Sequence, residues 1–336
     1  MFSPMINYRT PFSAALTVTA LAVLSLSGCK APQAFGDRNS IIVRAESALW
    51  AEVDSAVMAT LEQRAYTTRP ERIFKATFVA ASDTLWPNLR KWHQVLVLGT
   101  LDDPVVAHLV NSDVSPPAVV YTRDVWARTQ GVAILLLPQE NQAEAVRALL
   151  PELYDQLRAR YDEWVTERMY TTGVNDSLSQ ALADFGFTLQ LPGVYIHSHE
   201  DSLFRFGNPY RQGDTDLLRS VLLTWREGTD PVTAEELRAW REGIGETYFD
   251  PQQEVLEEGI RFDSVEIGGL ARLELRGVWQ DNAEFPAAGP FVTRAIACPS
   301  QNRTYYIDGW VFAPGTDKYP YLRQIEILLD TFRCVD

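Results

Sequence analysis

The sequence predicts an α+β protein, with antiparallel or mixed sheets flanked by helices, two sub-halves packed together, and a C-terminal three-stranded meander followed by a helix. Three observations carry this prediction. In the first half, short apolar runs at residues 41–45 and 95–99 alternate with segments of helical periodicity. Near the end, three extended runs at 270–279, 290–298 and 304–313 are joined by turn-forming segments. A last stripe of Leu322, Ile325, Leu328, Leu329 and Phe332 then needs a sheet to lie against.

Taken in order, residues 1–28 read as an export signal. Arg9 is their single charged residue, and residues 12–26 are apolar or small throughout. That stretch is short of the roughly 20 residues needed to cross a bilayer, so it is a signal rather than a permanent span. It closes on Leu26-Ser27-Gly28-Cys29. These residues resemble the bacterial lipoprotein box, and the resemblance implies cleavage before Cys29 and acylation of its thiol. The alternative is an ordinary secretory peptide with a chance cysteine. Two or more acyl chains anchor stably, each buried CH₂ contributing about 0.8 kcal/mol, so the partner expected at Cys29 is the lipid bilayer. Lys30 stands where lipoproteins kept at the inner membrane commonly carry aspartate. This points to the outer membrane, with the body facing the periplasm or the surface.

Residues 29–40 form a polar tether, and folding is expected to start at Ile41. The N-terminal α/β half, 41–170, alternates a strand at 41–45, a helix at 47–64, a strand at 73–80, a short helix at 83–91, and strands at 95–99 and 132–137. Asn141 followed by Glu144 is an N-terminal capping pattern. The helix behind it carries Val146, Leu150, Leu153, Leu157, Tyr161 and Trp164 on one stripe, and Pro151 should kink or restart it. The C-terminal α+β half, 171–336, ends in the meander and a helix over 318–332 capped by Asp317. With Cys29 acylated, Cys298 and Cys334 remain as a pair in an oxidising compartment. The last strand leads away from Cys298 and the helix returns, bringing Cys334 back. A disulfide there would contribute about 4 kcal/mol by loop closure; the alternative is two buried thiols.

Composition narrows the function classes. The chain of 336 residues carries a net charge of −14, and losing residues 1–28 removes only Arg9. An acidic surface repels phosphates, which argues against nucleic acid as a partner. No phosphate-cradling Gly-Lys loop, no H-E-x-x-H, no G-x-S-x-G elbow and no EF-hand loop occurs, so no cofactor is expected. His197 and His199 lie two apart at a probable strand end beside Glu200 and Asp201, where both rings could reach one metal ion. The H-x-H-x-D core of metallo-β-lactamase-like hydrolases is present there, but Ser202 stands where those enzymes continue with histidine, and no histidine follows His199. Glu235, Glu236, Glu242 and Glu246 share a helix opened by Thr233, and read as a charged outer face rather than a facing acid/base pair.

Aromatic placement supplies the binding candidates. In the run 304–313, Tyr306, Asp308, Trp310 and Phe312 share one face and Tyr305, Ile307 and Val311 the other. The aromatic face is either covered by the rest of the protein or an open stacking platform for a glycan or peptide. Asp124, Trp126, Arg128 and Gln130 alternate before a buried strand, where they either meet a ligand or plug a sheet edge.

The segment GPFVTRAIACPSQNRTYYIDGWVFAPGTDKYPYLRQIEILL (289–329), the motif DVWARTQ (124–130) and GCK ahead of the first strand resemble an uncharacterised family of bacterial envelope lipoproteins, a domain of unknown function. The resemblance implies an envelope address and a domain spread over most of the mature chain. It implies no catalytic residue. The function expected is that of a membrane-anchored envelope lipoprotein acting by binding or assembly, with a glycan or an envelope protein as its partner. The alternative is a hydrolase of envelope polymers using carboxylates or the His197/His199 pair.

Overall fold

β-Branched runs alternating with amphipathic helices build the first half. The computed structural model describes residues 31–212, 215–267 and 270–335. It begins with β1 (Ser40–Ala45) and α1 (Ser47–Leu61), whose Leu49, Val53, Val57 and Leu61 recur on one buried stripe. A small hairpin of β2 (Arg64–Tyr66) and β3 (Pro70–Arg72) follows. Then come β4 (Lys75–Ala80), the one-turn α2 (Trp86–Leu89), β5 (Gln94–Gly99) and α3 (Pro104–Leu109). β6 (Ala118–Arg123), β7 (Gly131–Leu136) and α4 (Gln142–Met169) complete this half.

Its sheet runs β4-β1-β5-β7-β6, the first four strands parallel and β6 antiparallel to β7. Parallel strands need both faces covered. Helices α1 and α4 cover one, over Ile41, Val43, Leu96, Leu98 and Leu135. On the other, Trp86 of α2 and Val106 of α3 meet Ile42, Val95, Val97 and Ile134.

Three local expectations for this half change. Helix α4 continues through Pro151. A proline removes one helical N–H bond, and the buried Leu150, Leu153, Leu157 and Tyr161 on either side of it outweigh that loss. Asn141 stands at the N-cap but in the left-handed region (φ 57°), and its side chain makes no cap bond. Residues 32–35, read as tether, are pinned to the body by bonds from Arg128 N to Pro32 O, Ala34 N to Arg128 O and His93 N to Phe35 O.

The second half opens with α5 (Asp176–Ala183), β8 (Phe187–Thr188), β9 (Ile196–Glu200), β10 (Leu203–Gln212) and β11 (Thr215–Glu227). It continues with α6 (Ala234–Tyr248), β12 (Gln253–Val255), β13 (Arg261–Ile267), β14 (Leu270–Asp281), β15 (Ala288–Cys298) and β16 (Arg303–Phe312). α7 (Tyr319–Leu329) and β17 (Arg333–Cys334) close the chain. The large sheet runs β12-β14-β15-β16-β11-β10-β9, with β13 also on β14, and its pairings are antiparallel. The predicted meander is β14-β15-β16. Helix α7 lies on the face of Ile307 and Val311, so close that a Cβ on Gly309 would collide with Ile325. Helix α6 lies on the opposite face. Cys298 and Cys334 are joined as a disulfide with Cα atoms 6.0 Å apart.

The two halves meet along α7. Its first free N–H groups, at Lys318 and Tyr319, donate to the Glu71 carboxylate of β3 at 2.8 and 2.7 Å. Asp317, expected to cap this helix, pairs instead with Lys75 (2.9 Å) and Arg69 (3.0 Å). Farther along, Arg323 grips Asp162 of α4 through two bonds of 2.8 Å and reaches Glu326 at 2.6 Å. From Glu326 the pairing passes to Arg276, Glu274, Arg294 and Asp330. Charges therefore alternate without a break from α4, across the sheet, to the end of α7.

Burial alone would raise the Glu326 carboxyl, but Arg276 and Arg323 outweigh it and hold it at about 2. A carboxyl depressed in the folded state stabilises fully above its unfolded value, about 4.3, and that contribution fades as pH falls towards about 2. The amount is on the order of 3 kcal/mol. Wild type and Glu326→Gln should therefore differ by about 3 kcal/mol in urea unfolding near neutral pH and converge at about pH 2. A gap that ignores pH would contradict this assignment.

Candidate functional site

Helix α6 forms one wall of the site, and the sequence fixes its position from both sides. Thr233 and Glu236 make a reciprocal capping box at its start, with Thr233 N donating to Glu236 (2.8 Å) and Glu236 N to Thr233 Oγ1 (3.2 Å). The backbone N–H and the hydroxyl of Thr233, both donating to the Glu236 carboxyl, hold it below its usual range. Arg238 binds Glu242 (2.8 Å) and Glu257 (3.0 Å) on the outside. Two of the helix's four candidate carboxylates thus have structural partners.

Underneath, Arg241 is fully buried and pairs with Asp308 at 2.9 Å, while Thr293 donates to the same carboxylate at 2.6 Å. Arg241 also donates to Gln253 (2.8 Å) and stands over the Phe291 ring. Burial pushes the Asp308 carboxyl above its ordinary range, with Arg241 and Thr293 pulling against it. A paired buried charge of this kind fixes a helix on a sheet, because moving it would strand both partners.

Between the second half of α6 and the β9–β10 turn lies a groove of about 560 Å³. Glu200, Asp201 and Ser202 line one side, the last with its hydroxyl 3.4 Å from that of Thr224. Trp240 and Tyr248 line the other. The Trp240 ring is stacked on Tyr306 at 4.9 Å, and the Arg205 guanidinium lies over Tyr248. Leu203, Leu222 and Ile244 pack together beneath. Among the described residues, no lysine, arginine or histidine lines the groove.

Two glycines of α6 differ in their reasons. A Cβ on Gly245 would run into the Gln253 carbonyl, so close packing demands glycine there. Gly243 is exposed, lines the groove and has nothing within 4 Å of where a Cβ would be. Glycine inside a helix costs about 1 kcal/mol relative to alanine, and no packing contact within the chain offsets that at Gly243.

The residues anticipated from sequence fall elsewhere. Trp310 is only 8 % exposed, edge-on to Trp279 and Phe249, and Tyr306 lies under Trp240. Phe312 is half-buried beside Trp279. This aromatic face is therefore the floor beneath α6 and not an open platform. The ring that reaches the surface above it is Trp240, one layer out. His197 and His199 are exposed on β9, with His199 stacked on Phe204. Among the described residues, no group of three or more His, Cys, Asp or Glu side chains comes together to hold a metal ion.

Asp124, Trp126, Arg128 and Gln130 form a self-bonded loop. Gln130 N donates to Asp124 (3.3 Å), Trp126 N to Gln130 Oε1 (3.0 Å), and Gln130 Nε2 to Trp92 O (2.7 Å). Trp126 packs edge-on to Trp86, and Arg128 lends its backbone to residues 32 and 34. The DVWARTQ loop thus clasps the chain where it joins the body.

Residues 175–331 match a family described as Domain of unknown function (DUF4837). The match contains the groove, but DVWARTQ and the GCK segment lie outside it. No curated protein matches the chain. Similar solved structures include the Saccharomyces cerevisiae Ran-binding protein Mog1p, at 14% identity, covering 46% of this chain and 93% of that one with a TM-score of 0.31. LpqN, involved in cell envelope biogenesis of Mycobacterium tuberculosis, is 15% identical over 45% of this chain and 83% of its own, with a TM-score of 0.30. A Rhizobium leguminosarum protein is 16% identical over 35% and 95%, with a TM-score of 0.17. Likeness this distant says nothing of ligand or partner.

The two glycines give a direct check on the groove. Gly243→Ala should raise stability by up to about 1 kcal/mol, because the methyl enters open space. Gly245→Ala should lower stability, because its methyl meets a carbonyl. Equal effects of the two in chemical denaturation would contradict the geometry.

Proposed function

We propose that this chain is a lipid-anchored binding module of the bacterial cell envelope, held at the outer membrane through acylated Cys29 and offering the α6 groove to a ligand. The observation that carries the binding reading is Gly243, an open, unpacked glycine at the heart of a helix that is otherwise tightly fixed. A helix keeps such a residue at a cost in stability where something else must approach its backbone.

The anchor reading is supported by Leu26-Ser27-Gly28-Cys29 and by the clasp on residues 32–35. From Cys29 to the pinned Pro32 the chain can reach at most about 10 Å. Acylation would therefore hold the body against the bilayer by the face that carries this clasp. Arg38, Arg90, Lys91 and Arg128 stand around it, with Phe35 44 % exposed and packed against Trp92. Asp37, Asp124 and Glu167 are acids of the same neighbourhood. In a chain of net charge −14, this collection of arginines and an exposed ring suits a headgroup region. Among the described residues, no helix is long and apolar enough to cross a membrane.

Metabolic labelling with radioactive palmitate, followed by membrane fractionation, tests the anchor. The wild type should incorporate label and sediment with outer membranes, and Cys29→Ala should do neither. Label-free wild type recovered in the soluble fraction would overturn the reading.

A further inference from the structure

We infer that the α6 groove binds a neutral, hydroxyl-rich ligand, a pyranose-containing oligosaccharide, and this rests on the groove being the ligand site. Its chemistry selects that class step by step. Trp240 and Tyr248 bring two large rings to the groove, the first stacked on Tyr306 and the second in contact with the Arg205 guanidinium. Rigid rings of this kind supply flat apolar area at little cost in side-chain entropy, which suits the C–H face of a sugar ring.

The polar groups are acceptors and hydroxyls. Glu200 and Asp201 carry two carboxylates, while Ser202, Thr224 and Thr247 carry hydroxyls. Carboxylates accept from sugar hydroxyls, and hydroxyl groups both give and accept. Among the described residues the groove lining itself holds no cation, Arg205 standing behind the Tyr248 ring, so a phosphate, sulfate or uronate would face the Glu200 and Asp201 carboxylates directly. Glu200 ends β9 and Asp201 opens the turn after it, so both carboxylates come from one wall and do not flank a bond from opposite sides as the acid/base pair of a glycosidase does. The arrangement holds a sugar without cleaving it. Gly243 completes it, since a side chain there would occupy the space a sugar ring needs between the rings and the turn.

Titration calorimetry on the detergent-solubilised full mature chain tests this with three probes: glucose pentamers, N-acetylglucosamine pentamers and galacturonate pentamers. At least one neutral pentamer should bind saturably, with affinity unchanged between low and high salt, and galacturonate should not compete. Gly243→Trp, which fills open space and leaves the buried face of α6 untouched, should weaken that binding about tenfold or more. Glu200→Gln combined with Asp201→Asn should weaken it while leaving the thermal midpoint in place. Absence of saturable binding by both neutral pentamers, equal binding of galacturonate, or an undiminished Gly243→Trp would overturn the inference. Retention of solubilised envelope material on immobilised protein separates the two levels. If Gly243→Trp abolishes retention while no neutral sugar binds, the sugar class falls and the groove stands; if retention is unchanged, the groove falls as well.

Discussion

Glu326 is enclosed between Arg323 and Arg276, and this shared carboxylate ties helix α7 to both halves of the fold. It is 3 % exposed and shared between the two guanidinium groups, so withdrawing either leaves a buried carboxylate with half its pairing. Arg323 is itself committed to Asp162 in the first half, and Arg276 to Glu274 in the second. Helix α7 therefore belongs to both cores at once. Its start is fastened by Glu71 from the first half, and its far end by the Cys298–Cys334 disulfide in the second. Desolvation offsets part of the attraction in such a network, and what survives at Glu326 is the stabilisation that its depressed carboxyl reports.

The groove inherits that order through a single sheet. On one face of β16, Ile307, Gly309 and Val311 lie under α7; on the other, Asp308 engages Arg241 and sets α6 in place. Two successive residues, Ile307 and Asp308, thus link the helix that joins the halves to the helix that walls the groove. What results is a rigid, acidic, aromatic-lined hollow with an unpacked glycine in its wall. The position of that hollow was built by packing, whereas its openness has no packing explanation. The ligand proposed above would supply one.

Much of this architecture was legible from residue order. The period-two pattern in β14 to β16, the stripe on α7 and the return of Cys334 towards Cys298 all rest on local periodicity and chain geometry, and these dominate wherever one face is apolar. Features set by distant partners were not legible. Asp317 sits where a cap belongs, yet Glu71, 247 positions before Lys318, takes the role. No local pattern announces such a contact. Pro151 reads as a kink or the start of a second segment, and burial on both sides carries one helix through it. The face of Tyr306, Trp310 and Phe312 was identified correctly as a face, and its cover was one of the two alternatives; that α6 supplies the cover was not legible, because alternation says which residues lie together and nothing about what lies above them. Trp240 was passed over for a related reason, since one tryptophan on a helix looks like core until its neighbours Gly243 and Tyr248 are placed beside it. DVWARTQ attracted attention as a polar loop and proved to be a self-bonded clasp.

Cooperativity between the halves is the quantity on which this account stands, and differential scanning calorimetry of the wild type and Arg323→Leu measures it most directly. With α7 shared by both cores, the wild type should unfold in one transition whose calorimetric and van't Hoff enthalpies agree, and Arg323→Leu should separate that transition into two. Two resolved transitions in the wild type would mean that the halves stand independently and that α7 does not join them.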